Sequence, residues 1–260
     1  MINIGTCGHG YYRPGKGWKK KYKSKLQAYS DDFPCGEINK TFYKLPMIRT
    51  AERWRKEACD DFDFIMKAWQ ALTHPTNSPT WGDRKDALTG EQRRAFGYLK
   101  PNKEVFDAWK ETKKVAEALE AEVLVIQTPP SFGCTEKNKE NMYEFFSQVD
   151  RGELEIAWEP RGDWTDNEED IGEICNEFNL IHIVDIIRKR PVSKHDITYI
   201  RLHGLNKNEY DYDYNYSTHE LLKLAGRLRG LDREYDKVYC MFNNYEMFEN
   251  AKRLIEILKR

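Results

Sequence analysis

Charged side chains stand on one face of two short apolar segments, close to where each segment ends. In the segment 154–161, Glu159 and Arg161 lie on the face opposite the apolar residues. The segment 197–204 repeats the pattern, with Arg201 and His203 opposite the apolar face. A buried charge without a partner is costly, so charges on an inward face indicate a site or a paired network. Carboxylate, imidazole and guanidinium groups serve proton transfer and anion binding.

These two segments belong to a longer series of eight strand-like runs. The predicted strands span 2–8, 35–43, 62–69, 122–129, 154–161, 180–186, 197–204 and 237–243. Predicted helices span 20–31, 48–58, 104–119, 137–149, 168–178, 218–228 and 248–258. Alternating strands and helices predict a parallel sheet with right-handed crossovers, and eight strands favour closure into a (β/α)8 TIM barrel over an open sheet. We therefore expect the polar strand ends to meet at one barrel mouth.

Two connections depart from the regular pattern. The stretch at about 73–102, after strand 3, is rich in proline and glycine and too long for an ordinary loop, which indicates an inserted lid or binding loop. The connection 187–196 contains Pro191 and is too short for a full helix, so none is expected between strands 6 and 7. We predict a single domain over residues 1–260.

Composition excludes several classes of protein. The formal net charge of −1 argues against a chain-wide surface for polyanions. No run approaches ~18 apolar residues, so no membrane span is expected, and the start of the chain does not resemble a signal peptide. The six cysteines form no CxxC pair. We expect free thiols without a disulfide and a cytoplasmic location.

If the inward faces are assigned correctly, the barrel mouth collects the candidate site. The predicted catalytic residues, for proton chemistry and substrate orientation, are Glu37, Glu159 and His203. The predicted substrate-binding residues are Asn39, Tyr43, Lys67, Gln127, Arg161, Asp185, Arg201 and Asn243. Arg161, Arg201 and Lys67 would bind a phosphate or carboxylate. The aromatic residues Tyr43, Trp69 and Trp81 would act as a lid that excludes water.

Two alternatives compete for the same side chains. Three bases and three acids at one mouth also suit a structural salt-bridge network. A divalent metal could be held by Glu37, Glu159, Asp185 and His203, which suit Mn²⁺, Zn²⁺ or Fe²⁺. Three cations in the same small mouth would repel the ion, so we predict no metal and no other cofactor.

Two further segments suggest binding. Basic residues follow strand 1, with Trp18 and Tyr22 between them: Lys16, Lys19, Lys20, Lys21, Lys23 and Lys25. Cations among aromatic rings suit single-stranded nucleic acid, although a solvated helix start has the same composition. After strand 7 tyrosines alternate with polar residues, at Tyr210, Tyr212, Tyr214 and Tyr216. They would stack on sugars or bases, or pack the loop.

Six short motifs occur in order along the chain. They are 37–43 (EINKTFY), 62–67 (FDFIMK), 127–132 (QTPPSF), 157–161 (AWEPR), 199–204 (YIRLHG) and 242–244 (FNN). Together they resemble the YecE-like family, domain of unknown function 72, over nearly the whole chain. The resemblance implies a TIM barrel and a cytoplasmic protein, and no established reaction. After strand 1 that family usually has Ser and Trp where Cys7 and His9 stand here.

These observations predict a TIM-barrel hydrolase that acts on a phosphate-bearing or sugar-containing small molecule at the mouth. One alternative is a metal-dependent phosphoesterase or nuclease. The other is a non-catalytic protein that binds nucleic acid through the basic segment.

Overall fold

Eight parallel strands close into one barrel in a computed structural model of the chain, which describes residues 1–208 and 211–260. Each strand pairs with the next, and β8 pairs with β1. The strands are β1 (Ile2–Cys7), β2 (Cys35–Ile38), β3 (Asp63–Lys67), β4 (Ala121–Gln127), β5 (Glu155–Glu159), β6 (Ile181–Val184), β7 (Ile197–Leu202) and β8 (Lys237–Phe242). The predicted (β/α)8 fold is confirmed.

The helices pack around the outside of the barrel. They are α1 (Lys25–Asp32), α2 (Lys40–Tyr43), α3 (Ile48–Glu57), α4 (Gly90–Ala95), α5 (Lys103–Leu119), α6 (Glu136–Gln148), α7 (Glu168–Glu177), α8 (Thr218–Leu231) and α9 (Met247–Leu258). Side-chain caps begin several of them: Asn102 accepts from the N–H of Val105, and Ser217 forms a capping box with Glu220. Such caps satisfy backbone donors that would otherwise have no partner.

The second predicted strand is wrong at its C-terminal end. β2 stops at Ile38, and Lys40–Tyr43 forms a single helical turn. The Thr41 hydroxyl lies 2.6 Å from both the Ile38 and the Lys67 carbonyl oxygens, which holds the chain in this turn. Because the strand has ended, Tyr43 no longer follows the alternation of the barrel wall. Its side chain is 43% exposed, with the Arg84 guanidinium 5.1 Å from the ring centre.

Both irregular connections are present. The chain between β6 and β7 is fully described and contains one turn but no helix, as expected for so short a connection. The insertion after β3 holds a 3₁₀ segment (Pro79–Ala87) and α4. Trp81 is 1% exposed, stacks on Phe96 and donates its indole N–H to the His74 carbonyl at 3.1 Å. Trp81 therefore forms the core of the insertion rather than the lid we expected.

The inside of the barrel is layered. Apolar side chains fill its middle, among them Ile65, Val123, Val125, Ala157, Ile181, Ile183 and Met241. At the N-terminal end Asp63 accepts hydrogen bonds from Asn3 at 2.9 Å and Tyr239 at 2.7 Å, with Lys237 at 3.4 Å. This end is the stabilising face of a TIM barrel, whereas the opposite end carries the sites of this fold.

Other expectations concern the cysteines and the membrane. All six cysteines lie in the described part of the chain and are free thiols. Within residues 1–208 and 211–260, we find no helix with the length and apolar character that crossing a bilayer requires.

Gly5 permits the close approach of β1 and β2. A Cβ atom built on Gly5 would lie 2.4 Å from the Cys35 carbonyl oxygen, whereas one on Gly226, in α8, would meet no atom within 4 Å. We expect Gly5→Ala to lower the free energy of unfolding by about 1–3 kcal/mol through overpacking. Gly226→Ala should raise it by about 0.5–1 kcal/mol, because alanine is the better helix former. Urea denaturation of both variants checks this, and a neutral Gly5→Ala would show that the strands can separate at no cost.

Candidate functional site

One hydrogen-bonded network joins the C-terminal ends of six strands. Its members are Cys7, Glu37, Lys67, Gln127, Glu159, Tyr199 and Arg201. They come from β1, β2, β3, β4, β5 and β7, and each points into the barrel because strand side chains alternate between two faces. The inward faces predicted from the sequence therefore lead to one place.

Arg201 lies at the centre of this network and is 2% exposed. Its Nη2 donates to Glu37 Oε1 at 2.8 Å, and its Nη1 donates to Glu159 Oε2 and, at 3.2 Å, to Gln127. Its Nε lies 3.3 Å from the Cys7 sulfur. All three guanidinium nitrogens thus bond within the protein, so Arg201 organises the mouth, and its expected role in binding a ligand stays a prediction.

Glu37 forms the floor beneath Arg201. Its side chain is fully buried, and Oε2 accepts a hydrogen bond from the Tyr199 hydroxyl at 2.6 Å. Burial, together with the charge of Glu37, raises the pKa of Tyr199 well above its ordinary value, so the phenol stays a donor. With one oxygen on Arg201 and the other on Tyr199, Glu37 is placed to support the network from below.

Glu159 lies higher in the mouth, between two guanidinium groups. Arg161 donates to Oε1 at 2.8 Å, and Arg201 donates to Oε2. Burial by itself would raise the pKa of Glu159, but the charges of Arg161 and Arg201 outweigh it and hold the pKa well below its ordinary value. Glu159 is consequently a permanent carboxylate and a poor proton donor at neutral pH.

His203 follows β7 and lies next to Glu159. Its Nε2 lies 3.9 Å from Glu159 Oε1, and its ring packs against Tyr212 with centroids 5.5 Å apart. Burial, reinforced by the nearby arginines against the opposing charge of Glu159, lowers the pKa of His203 to about 3. The imidazole is therefore neutral at pH 7, when one ring nitrogen donates and the other accepts.

Lys67 is the group in this network that titrates near neutral pH. Its Nζ donates to Gln127 Oε1 at 2.8 Å and lies 4.5 Å from the centre of the Phe42 ring. Burial, followed by the charge of Arg201, lowers the pKa of Lys67 from 10.5 to about 8. Both the ammonium and the free amine are thus accessible under physiological conditions, as proton transfer requires.

The remaining predicted residues contribute less directly. Asn39 donates its side-chain amide to the Cys7 carbonyl at 2.9 Å, beside the network. Asp185 accepts from the N–H of Ile187 at 2.9 Å and lies on the wall of the mouth. Asn243 contributes a backbone N–H, which donates to Leu202 at 2.7 Å. Tyr43 lies outside, as described above.

A cavity of about 410 Å³ opens beside Glu159 and runs toward β6. Its lining includes Glu159, Arg161, Asp185, Arg188, Arg201 and His203. A larger groove of about 630 Å³ lies toward the other end of the barrel, between α1 and α9, and is lined by Ile2, Phe33, Asp61 and Leu258 among others. We assign the site to the smaller cavity because the mouth network borders it, and because its size suits a small molecule.

Sequence reasoning missed three residues in and near the mouth: Arg188, Gln70 and Tyr199. Arg188 lies in the connection after β6, where no strand alternation marks its direction. Gln70 is fully buried, and both ends of its amide lack a hydrogen-bond partner among the described residues. Tyr199 lies on the same inward face as Arg201 and could have been identified from the alternation alone.

The structure also bears on the expected metal and nucleic-acid sites. Within residues 1–208 and 211–260, no three His, Cys, Asp or Glu side chains are grouped so that they could hold a metal ion. The two carboxylates Glu37 and Glu159 are engaged by arginine, as described above.

In the basic segment all six lysines are exposed, and Lys21 pairs with Asp31 at 2.8 Å. Trp18 and Tyr22 pack against the core, which limits their use for base stacking.

Comparisons with known proteins agree with the fold. A family described as "Protein of unknown function DUF72" matches residues 3–260. The protein YunF of Bacillus subtilis is 27% identical over 290 residues, covering 99% of this chain and 95% of its own. YecE of Escherichia coli is 35% identical over 57 residues, which is 22% of this chain and 21% of YecE.

Solved structures show the same architecture. A DUF72 protein from Thermotoga maritima has a TM-score of 0.72 at 23% identity, with both chains covered in full. A D-tagatose 3-epimerase-like protein has a TM-score of 0.58 at 14% identity, covering 99% of this chain and 96% of its own. Endonuclease IV from Thermus thermophilus has a TM-score of 0.51 at 12% identity, covering 99% and 97%. At these identities the likeness extends to the fold alone.

The lowered pKa of Lys67 has a consequence for stability. Below about pH 8 the folded protein holds Lys67 as a disfavoured ammonium, which lowers the free energy of unfolding. This penalty disappears as the pH rises toward 10.5, the pKa of Lys67 in the unfolded chain. We expect Lys67→Met to raise the free energy of unfolding at pH 7 by roughly 1–3 kcal/mol, and the gain to shrink by pH 10. Chemical denaturation at both values, with the exposed Lys44→Met as control, measures it. A less stable Lys67→Met at pH 7 would mean that the buried ammonium stabilises the fold.

Proposed function

The chain belongs to the DUF72 family of proteins of unknown function, and from that premise we propose that it is a hydrolase acting on a phosphate-bearing or sugar-containing small molecule at the barrel mouth. The position supports this, since the enzyme sites of TIM barrels lie at the C-terminal ends of the strands. The cavity beside Glu159 supplies a concave space of suitable size.

The observation that carries the proposal is the state of Lys67. A structural salt-bridge network is served by groups that keep their charge, as Arg201 and Glu159 do here. Lys67 is instead buried where its charge is disfavoured, at a cost of roughly 3 kcal/mol for a pKa lowered from 10.5 to about 8. Lys67 does not line the cavity itself, but Gln127 links it to Arg201, which does. A perturbed group so close to a cavity is typical of acid–base catalysis.

We assign the proton transfer to Lys67 rather than to the carboxylates. The Lys67 ammonium would donate a proton to the leaving oxygen as the bond to it breaks, while water supplies the hydroxyl group that replaces it. The amine would then regain a proton from solvent, which completes the hydrolysis. Lys67 suits this role better than Glu159 does, because the pKa of Lys67 lies near the working pH whereas Glu159 stays ionised.

The other residues would bind and position. Arg161 lines the cavity and would donate to substrate oxygens. Neutral His203 would donate or accept one hydrogen bond, and Glu159 would orient Arg161. Glu37 and Arg201 would act as positioning residues beneath the reaction centre.

Two other functions remain as alternatives. A metal-dependent phosphoesterase would lose activity on chelation, and a nucleic-acid-binding protein would use the exposed lysines of the basic segment and weaken steeply with salt. Proteins of similar fold are named as a sugar epimerase-like protein and as an endonuclease, so the architecture by itself does not choose among the candidate functions. The position of Lys67 favours the hydrolase.

The pH dependence tests the role of Lys67. Since the ammonium is the acid, kcat should fall as the pH rises through about 8. We expect Lys67→Met to lower kcat by roughly 10²–10⁴-fold, and Lys67→Arg to keep the charge but not the activity. The measurement uses p-nitrophenyl phosphate and p-nitrophenyl glycosides, with Lys44→Met as the matched surface control. An unchanged kcat in Lys67→Met would remove Lys67 from the mechanism.

A further inference from the structure

The cavity owes its direction to the missing helix. Residues 185–196 connect β6 to β7 by one turn and irregular chain, so they contribute no helix to cover the barrel between α7 and α8. The cavity occupies this side and reaches Ile171 of α7 and His182 of β6. The mouth therefore continues sideways, away from Lys67 and the long insertion.

Charges in the lining of this side cavity are balanced. The cations are Arg161, Arg188, Lys189 and Arg201, and the carboxylates are Glu159, Asp166, Glu168 and Asp185. Most are already paired: Arg161 with Glu159 at 2.8 Å, Arg188 with Asp185 at 3.7 Å and Lys189 with Glu168 at 3.0 Å. A phosphate dianion would have to compete with these carboxylates for the same cations, which opposes binding of a strongly charged group.

A ligand hydroxyl group does not have to compete with the carboxylates for the cations. Each hydroxyl donates one hydrogen bond and accepts up to two, so it can join a carboxylate and a guanidinium without separating them. The Arg188–Asp185 pair offers such a combination, because its 3.7 Å separation is longer than a direct hydrogen bond. A ligand hydroxyl can therefore add contacts where an anion would displace them.

The pair is also held in place before any ligand binds. Arg188 Nη2 donates to the Asn206 carbonyl at 2.9 Å, and Asp185 Oδ1 accepts from the Ile187 N–H. Fixed donors and acceptors lower the entropic cost of binding. Asp185 also interacts beyond this pair, so it is not an isolated carboxylate.

An aromatic ring lies on the same side of the mouth. Tyr212 is half-buried and packs against His203, which lines the cavity. Of the other tyrosines in this loop, Tyr216 is buried and Tyr214 bonds to Glu220 at 2.6 Å, whereas Tyr210 lies outside the described residues. Tyr212 is thus the ring in the described part of the loop that packs on a residue of the cavity lining.

From this combination we propose that the side cavity is a subsite for an uncharged sugar, with Asp185 and Arg188 bonding its hydroxyl groups and Tyr212 packing on its C–H face. The inference rests on the proposed function and narrows its substrate to the sugar-containing class. A volume of about 410 Å³ suits one or two sugar rings. The bond to be cleaved would lie at the Glu159 end of the cavity, where the lining meets the network that contains Lys67.

Direct binding tests the subsite without any assay of activity. Saturation-transfer NMR on the whole chain would use methyl glycosides of common hexoses and pentoses as one arm and inorganic phosphate as the other. We expect one or more glycosides to bind, with an affinity unchanged between 50 and 500 mM NaCl, since an uncharged ligand is not screened. Arg188→Gln and Asp185→Asn should each weaken that affinity about 10- to 100-fold.

The control is Arg190→Gln, two residues from Arg188 on the same connection. Arg190 pairs with Glu234 at 2.9 Å on the surface and does not line the cavity, so its replacement should leave glycoside binding unchanged. Thermal unfolding identifies any variant that has lost its fold, and Tyr212→Ala then supplies an independent test of the same subsite.

Phosphate binding without glycoside binding would overturn the inference, and so would the absence of both. An equal loss of glycoside binding in Arg190→Gln would also overturn it. None of these outcomes bears on Lys67, whose effect on kcat is measured separately with the p-nitrophenyl substrates. The subsite and the proposed function can therefore fail independently.

Discussion

The buried ion pairs of Arg201 are the interaction on which the mouth depends. One guanidinium, 2% exposed, bonds Glu37 below it and Glu159 beside it. Loss of one partner from a buried pair leaves an uncompensated charge, typically at a cost of about 3–5 kcal/mol. Because β2, β5 and β7 meet through this single side chain, their C-terminal ends are held in one arrangement.

This arrangement divides the network into residues that hold its structure and residues that are available for chemistry. Glu37, Tyr199 and Arg201 are bonded to one another and closed to solvent, so they can hold positions but have little left to offer a ligand. Lys67 and Arg161 lie at the edge of the same network. Burial, followed by the charge of Arg201, disfavours the Lys67 ammonium and lowers its pKa to about 8, so this group can exchange a proton near neutral pH.

The connections between the strands determine on which side of the mouth the cavity opens. The insertion after β3 is packed around Trp81, while the connection after β6 lacks a helix and leaves that side of the barrel open. The cavity lies on the open side, and its paired charges make it more suitable for hydroxyl groups than for an anion. The selectivity that we propose thus depends on the absence of a helix as much as on any residue present.

The sequence by itself determined the barrel, the short connection after β6 and the inward direction of Glu37, Lys67, Glu159 and Arg201, because strand alternation is a local property. It did not determine where β2 ends, since the turn at Tyr43 depends on a Thr41 hydrogen bond to the Lys67 carbonyl, 26 residues away. Only the tertiary structure decided which charges would be neutralised and which would titrate. Charge states depend on burial and on distances between strands far apart in the chain, and no sequence spacing contains that information.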